Sequence, residues 1–238
     1  MSGGREVKIG LLGDIHGNAL ALQAVLAVAE TEGVEHLLVT GDLVGYYFAP
    51  DKVLELLEPW DRHIVRGNHE DMLTAARRYP ALLPEIEKKY GSGLRIALDC
   101  LAEEQLDMLC NLPHPAQVAI DGRRLLLCHG TPWDNNEYVY PDADAALLVR
   151  CASPGIDMVI LGHTHYPMVR EIGATMIVNP GSVGQPRNRT PGAQWALYDS
   201  VTLTVSLRCE SYDHCAVAEE ARRRHPNHPY LSNVLERT

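Results

Sequence analysis

The sequence predicts an α/β protein built on two β-sheets, and three observations predict it. Short apolar runs alternate with helical stretches through the first quarter of the chain. Short strands with tight connections crowd most of the second half. Five of the strands end in glycine-flanked turns that carry a carboxylate, an amide or an imidazole.

The elements follow in order. "EVKIGLLGD" ends an N-terminal strand. "NALALQAVLAVAE" has Leu22, Leu26 and Ala29 at helical spacing, with Gly33 as its stop. "VEHLLVTGD" is a second strand, and "PDKVLELLEP" a short helix with Pro50 in its first turn and Pro59 beyond its last. "RHIVRGNHE" is a third strand running into a loop. Strand, helix, strand, helix, strand implies right-handed crossovers and a parallel sheet. Residues 70–111 are mainly helical, as a cap or an interaction surface. "VAIDGRRLLLCHG" is a hairpin around Asp121-Gly122. "DMVILGHTH", "PMVREIGATMIV" and "QWALYDSVTLTVSL" supply further strands for a second sheet, with a helix at "DADAALLVR". From Tyr212 the tail holds one helix ending near His225-Pro226, then polar coil in which His225 and His228 are solvent-exposed.

The chain has 238 residues, enough for one sizeable core or two small ones. It is 46% apolar and 22% charged, ordinary for a globular protein. No apolar run approaches the roughly 20 residues that a membrane span needs. MSGGREVKIGLLGD carries an acidic residue and too short an apolar stretch for a signal peptide. A cytoplasmic protein is expected, with disordered first residues leading into a buried strand. Six cysteines (Cys100, Cys110, Cys128, Cys151, Cys209, Cys215) contain no CxxC, against a zinc ribbon or a disulfide framework. Reduced, mostly buried thiols are expected. The net charge of −10 argues against a coat for long nucleic acid. An acidic protein still handles phosphates when bound cations supply the positive charge.

The strand-end turns carry the chemistry. "GDIHGN" brings Asp14 and His16, "GDLVG" Asp42, "GNHE" Asn68 and His69, "CHG" His129, and "GHTH" His163 and His165. Ligands of open α/β sheets bind outside the carboxyl ends of the strands, so these groups converge on one edge. Each alone reads as a turn former or helix cap; five in succession do not. With His69 set aside, a set of two carboxylates, one amide and four imidazoles, without thiolate, suits Mn²⁺, Fe, Zn²⁺, Co²⁺ or Ni²⁺ better than Mg²⁺ or Ca²⁺. Seven protein ligands exceed what one ion takes, so two divalent ions are implied, with a carboxylate bridging them. Such a pair, about 3.5–4 Å apart, clamps phosphoryl oxygens and activates a water.

These five motifs, in this order across residues 13–165, resemble the calcineurin-like metallophosphoesterases. "NPGSVGQPR", Asn179 to Arg187, further resembles their small bacterial and archaeal phosphodiesterase branch. The resemblance implies a four-layer αββα sandwich of two mixed sheets. The whole chain, 1–238, would then be one such domain, with a helical insertion about 70–111 and a C-terminal helix and tail from about 212. It implies a first metal held by Asp14, His16 and His165, a second by Asn68, His129 and His163, and Asp42 bridging, with Mn²⁺ the first choice of ion. His69 would stand outside the coordination shell. The implied reaction is attack on phosphorus by a metal-bridging hydroxide, with Asp42 and His69 in the catalytic machinery. His69 would stabilise the transition state or protonate the leaving alkoxide.

Glu70 is placed to orient His69. Asn18 is placed to contact substrate or cap the next helix. Arg187 and Arg189 are placed to grip phosphate, and Tyr46, Tyr47, Phe48 and Trp133 to wall a leaving-group pocket or stack a base. His163 and His165, on alternate positions of an extended segment, should point to opposite sides, one to each metal, with Thr164 facing away. The expected substrate is a small phosphoester, a nucleotide among the candidates; neither a membrane nor long nucleic acid is expected, and a homo-oligomer is compatible. Three alternatives compete: a Ser/Thr phosphatase-like or dinucleoside polyphosphate hydrolase, a metal-free scaffold, and a metal-dependent nuclease, which the acidic balance opposes for long nucleic acid but not for nucleotides. "GDLVGYY" lacks the arginine usual after the second aspartate in Ser/Thr phosphatases, and the complete donor set opposes a scaffold.

Overall fold

The structure, a computed structural model, describes residues 7–237. The disorder expected of the first residues falls on residues 1–6, outside that range. Strands β1 (Lys8–Leu12), β2 (His36–Val39) and β3 (Asp61–Ile64) pair in parallel. Helices α1 (Ala19–Glu32) and α2 (Pro50–Leu57) make the crossovers. Asn18 Oδ1 caps the start of α1 by accepting from the Ala21 N–H at 3.2 Å, and Gly33 ends it at φ 75°, where a side chain would be strained.

A second sheet contains β4 (Ala116–Ile120), β5 (Arg123–Leu127), β6 (Met158–Ile160), β7 (Met168–Ile172) and β8 (Thr175–Asn179), in the order β4-β5-β6-β8-β7. Asp121 and Gly122, both at positive φ, turn the β4–β5 hairpin. The last hairpin, β9 (Ala193–Asp199) and β10 (Thr204–Glu210), corrects the expected grouping. It returns to the first sheet, with β9 antiparallel to β1 in the order β10-β9-β1-β2-β3. Strand patterning alone does not select the sheet; both faces of β9 are apolar and suit either one.

Alternation along the strands creates the layers. Ile9, Leu11, Leu38, Ala196 and Tyr198 meet Leu125, Leu127, Met158, Ile160 and Val178 between the two sheets. Leu37, Val39, Trp195 and Leu197 point the other way, onto α1 and α2. Val159 and Ile177 face outward from the second sheet and pack under Leu148 and Cys151 of α7 (Ala145–Cys151). The result is helix, sheet, sheet, helix.

Residues 68–110 form α3 (Asn68–Arg78), α4 (Leu83–Tyr90), α5 (Gly93–Cys100) and α6 (Glu103–Cys110). Leu73, Leu94, Ala97, Leu106 and Leu109 join the outer core of the first sheet, so these helices complete a layer. All six cysteines are unpaired, but only Cys128 and Cys151 are buried. Cys100, Cys209 and Cys215 are exposed, at the end of α5, on edge strand β10 and in the first turn of the tail helix α8 (His214–Arg224). Among the described residues no helix is long and apolar enough to cross a membrane.

The tail beyond α8 is not polar coil. A short helix α9 (Tyr230–Asn233) and the turn after it bury Leu231, Val234 and Leu235 against Tyr46 and Tyr47. His225 is half-buried, stacked on Phe48, and accepts from the Ser92 N–H at 3.2 Å. Polar residues outnumber apolar ones here, but three well-spaced apolar side chains suffice to dock the segment. Leu231→Ala is expected to cost about 2–5 kcal/mol in a denaturant titration, the range for a fully buried leucine; an unchanged midpoint would show that the tail is not docked.

Candidate metal centre

The turns after β1, β2, β3, β5 and β6 meet at one end of the sandwich. Backbone hydrogen bonds zip the first two together: His16 N–H to the Asp42 carbonyl at 2.8 Å and Tyr47 N–H to the His16 carbonyl at 2.8 Å. Gly162 N–H donates to the His129 carbonyl at 2.6 Å and joins the turns of the second sheet. The two sets connect directly, since both Asp14 carboxylate oxygens accept from the His163 N–H, at 3.2 and 3.0 Å.

Backbone conformation singles out the same residues. Eight non-glycine residues among those described have positive φ, and Asp14, His16, Asp42, His163 and His165 are five of them, at 53–68°. Such conformations cost of order 1–3 kcal/mol each and concentrate at functional sites. They correct the expectation that "GHTH" is extended: Thr164 does face away, bonding to Asn179, but left-handed turns rather than strand alternation part the two histidines.

The donors fall into overlapping groups. Asp14, His16 and His165 each offer an atom within 4.8 Å of the others, and so do Asp42, His129 and His163. Asp42 Oδ2 lies 3.3 Å from His129 Nε2 and 3.7 Å from His16 Nε2, so this carboxylate stands between the groups. Asn68 Oδ1 is 3.0 Å from His129 Nε2. A third group, His16, Asp42 and His69, overlaps the first two.

Tautomers follow from the partners. His16 Nδ1 lies 3.2 Å from the Val44 carbonyl, His129 Nδ1 2.7 Å from that of Thr40, and His165 Nδ1 2.6 Å from that of Gln185. A carbonyl only accepts, so each Nδ1 carries hydrogen. In the neutral ring Nε2 is then bare and turned to the cluster. His163 reverses this: its Nε2 donates to the Asn136 carbonyl at 3.1 Å and leaves Nδ1 bare. Held imidazoles of this kind are the usual form of metal ligands. His16 Nε2 and His165 Nε2 consequently face each other at 3.1 Å as two lone pairs, an arrangement that calls for a cation. His69 differs: its Nδ1 is buried without a partner.

The charges agree. Burial pushes both carboxylates up, but neighbouring imidazoles outweigh it: His165 holds Asp14 below the usual range, and His129 with His69 holds Asp42 well below it. Burial disfavours a charged His129, yet Asp42 beside it raises its pKa to about 9. Burial drives His16 well down, lowers His165, and takes His163 and His69 to about 4. His129 Nε2, beside Asp42 and Asn68, thus sits where positive charge is favoured.

Residues beyond the donors fix this geometry. Glu70 does not orient the His69 ring. Its carboxylate accepts from the N–H groups of Asp42, Leu43 and Gly67, each at 2.8 Å, and so clamps the Asp42 turn to the start of α3. Glu70→Gln sets an amide NH₂ against one of these donors. It should cost about 1–3 kcal/mol and weaken metal affinity about 10- to 100-fold. Thermal melting and metal titration check this; an unaltered protein would refute the clamp. Ser182 Oγ donates to the Asp14 carbonyl at 2.7 Å, and Asn179 Nδ2 to Gly162 and Thr164. The sequence marks Asn179, Ser182 and Gln185 only through the run "NPGSVGQPR", and Thr40, whose carbonyl meets His129, carries no mark of its own. Gly45 sits at φ 120°, where a Cβ would run into the His69 and His16 rings.

A small cavity of ≈ 30 Å³ adjoins the cluster, lined by Asp42, Tyr46, Asn68, His69, Tyr90, Tyr138, His163, His165 and Arg187. Arg187 donates to Tyr46 Oη at 3.2 Å. Arg189 is exposed and outside the lining. Asn18 spends its amide on the helix cap, the Gly184 carbonyl and Tyr212. Tyr47 bonds to the Leu231 carbonyl, Phe48 stacks on His225, and Trp133 carries Arg150 on its face, so none of these three lines the cavity.

Two facing sheets thus carry a buried carboxylate–imidazole cluster, fit for divalent metal, across their strand ends. The family model of the calcineurin-like phosphoesterase superfamily domain matches residues 7–202, and the chain belongs to that family. It is 27% identical over 226 residues to an uncharacterized protein of Methanocaldococcus jannaschii, covering 86% of this chain and 88% of that one. It is 25% identical over 218 residues to phosphodiesterase YfcE of Escherichia coli, covering 86% and 95%. The crystal structure of hypothetical protein PH1004 from Pyrococcus horikoshii shares the fold, with a TM-score of 0.85 at 22% identity over 97% of this chain and 98% of that one.

Proposed function

We propose that the chain is a binuclear-metal phosphoesterase that prefers diesters to monoesters. One observation carries the reading: two groups of bare donor atoms share the Asp42 carboxylate between them. Asp14, His16 and His165 would hold one ion and Asn68, His129 and His163 the other, with Asp42 bridging. Borderline nitrogen and oxygen donors favour Mn²⁺, with Fe, Zn²⁺, Ni²⁺ and Co²⁺ also suited. When bound, the ions supply charge that offsets the phosphoryl oxygens and a water of lowered pKa as nucleophile.

The protein's own groups do the rest. The four ligand imidazoles are locked by backbone carbonyls; His69 is not, so it stays outside the shell, free to pass a proton to the leaving alkoxide. Arg187 would hold a non-bridging oxygen, steadied by Tyr46. Among the described residues it is the single Lys or Arg lining the cavity, which suits the one charge of a diester better than the higher charge of a monoester. The YfcE relative, named a phosphodiesterase, supports the same preference.

Calorimetric titration of the metal-free protein with Mn²⁺ tests the centre. Two equivalents per chain are expected, with hydrolysis of bis(p-nitrophenyl) phosphate following the second. Saturation at one equivalent, or no binding, would contradict it.

A further inference from the structure

Aromatic residues make up 6% of the chain, yet tyrosine supplies three of the nine residues lining the cavity. Tyr46 comes from the turn after β2, Tyr90 from the end of α4 and Tyr138 from the loop after β5. Packing accounts for Tyr46, which is buried edge-on to His16. It does not account for Tyr138, which is 46% exposed. The Tyr138 ring stacks on His163 with centroids 4.0 Å apart, and lies nearly parallel to Tyr140, at 5.5 Å and 5°. That separation at so small a tilt is an offset stack, which leaves part of each ring uncovered. Tyr140 is itself 40% exposed, with Tyr166 edge-on against it. A line of flat rings thus runs from solvent to an imidazole of the donor cluster.

We propose that Tyr138 and Tyr140 form a stacking platform for a planar aromatic substituent of the phosphoester, so that the natural substrates are nucleoside phosphoesters. The proposal rests on the phosphoesterase reading, because the phosphate must lie on the metals for its substituent to reach the platform. Tyr138 and Tyr140 are specificity-determining residues; they touch the substituent and not the reacting atoms. Base-on-aromatic stacking tolerates any base and is worth about 5- to 150-fold in affinity, so the platform selects the class of substrate without selecting one nucleobase.

Binding to the Mn²⁺-loaded protein, read by calorimetry, separates this from hydrolysis. The probes are thymidine 5′-monophosphate, phenyl phosphate and methyl phosphate, which share one phosphate group. Thymidine 5′-monophosphate should bind at least about 5-fold tighter than methyl phosphate. Phenyl phosphate, whose ring lies closer to phosphorus, should fall between them. Tyr138→Ala and Tyr140→Ala should each shrink the thymidine advantage, while Tyr138→Phe keeps it, and Tyr140→Ala, outside the cavity lining, should leave methyl phosphate unchanged. Because Tyr138 packs on His163, Tyr140→Ala, which removes no contact to a donor, carries the test if Tyr138→Ala loses metal. A phenyl phosphate advantage as large as thymidine's would replace the nucleobase by an aryl group and overturn the nucleoside assignment. Equal affinities for all three probes, no binding of any, or an advantage that survives Tyr140→Ala would overturn the platform. If the pattern holds but no diester is cleaved, the phosphoesterase reading and the substrate assignment fail and only a nucleotide-binding platform remains; if diesters are cleaved and the pattern is absent, the platform alone fails.

Discussion

Asp42→Ala is expected to empty the centre of both ions and to lower phosphodiester hydrolysis by about 10³-fold or more. Asp42 Oδ2 is the one carboxylate oxygen placed between His16 and His129, at 3.7 and 3.3 Å. Without it two like-charged ions would face each other unbridged in a buried site. Its other oxygen accepts from the His69 N–H at 2.8 Å, so the alanine variant also orphans a buried donor. Asp42→Asn separates these effects: the amide oxygen can keep the His69 bond, while the lost charge should still release metal. Elemental analysis reads the result directly. Two ions retained in the alanine variant would refute the bridging role.

That carboxylate was legible in the sequence because its chemistry is local. A glycine, a carboxylate and a strand end specify a turn at a sheet edge, and five such turns in succession specify a shared site. The first sheet's parallel core and the β4–β5 hairpin were legible for the same reason, through Gly33, Pro50 and Asp121-Gly122. The return of β9 beside β1 was not, because pairing between Lys8–Leu11 and Ala196–Asp199, so far apart in the chain, leaves no local mark beyond apolarity. Long-range contacts also hid the role of Glu70, whose partners Asp42 and Leu43 lie 28 and 27 residues away. Adjacency to His69 suggested an orienting bond; at the start of α3 the carboxylate instead turns back towards Gly67. The left-handed conformations of His16, His163 and His165 were also out of reach, since positive φ is uncommon for any non-glycine residue, even for histidine, which is enriched there.

His69→Ala is expected to keep both ions and lose about 10²–10⁴-fold in turnover, the usual worth of a general acid. The prediction follows from what His69 lacks. Its Nδ1 has no carbonyl to fix a tautomer, unlike the rings of His16, His129, His163 and His165. The bond that ties the residue to Asp42 is made by its main-chain N–H, which alanine retains, so the bridging carboxylate should stay in place. Metal analysis beside steady-state kinetics checks both halves. Full activity would exclude the role in proton transfer. Loss of an ion would move His69 into coordination, as its place in the group with His16 and Asp42 permits.

The central claim is that the cluster is a metal-activated phosphodiesterase centre. It is tested most directly by the hydrolysis rates of bis(p-nitrophenyl) phosphate and p-nitrophenyl phosphate by one preparation loaded with two Mn²⁺ per chain. Clear turnover of the diester, at most weak turnover of the monoester, and loss of both on chelation are expected. Preference for the monoester, or no turnover of either with both ions bound, would contradict it.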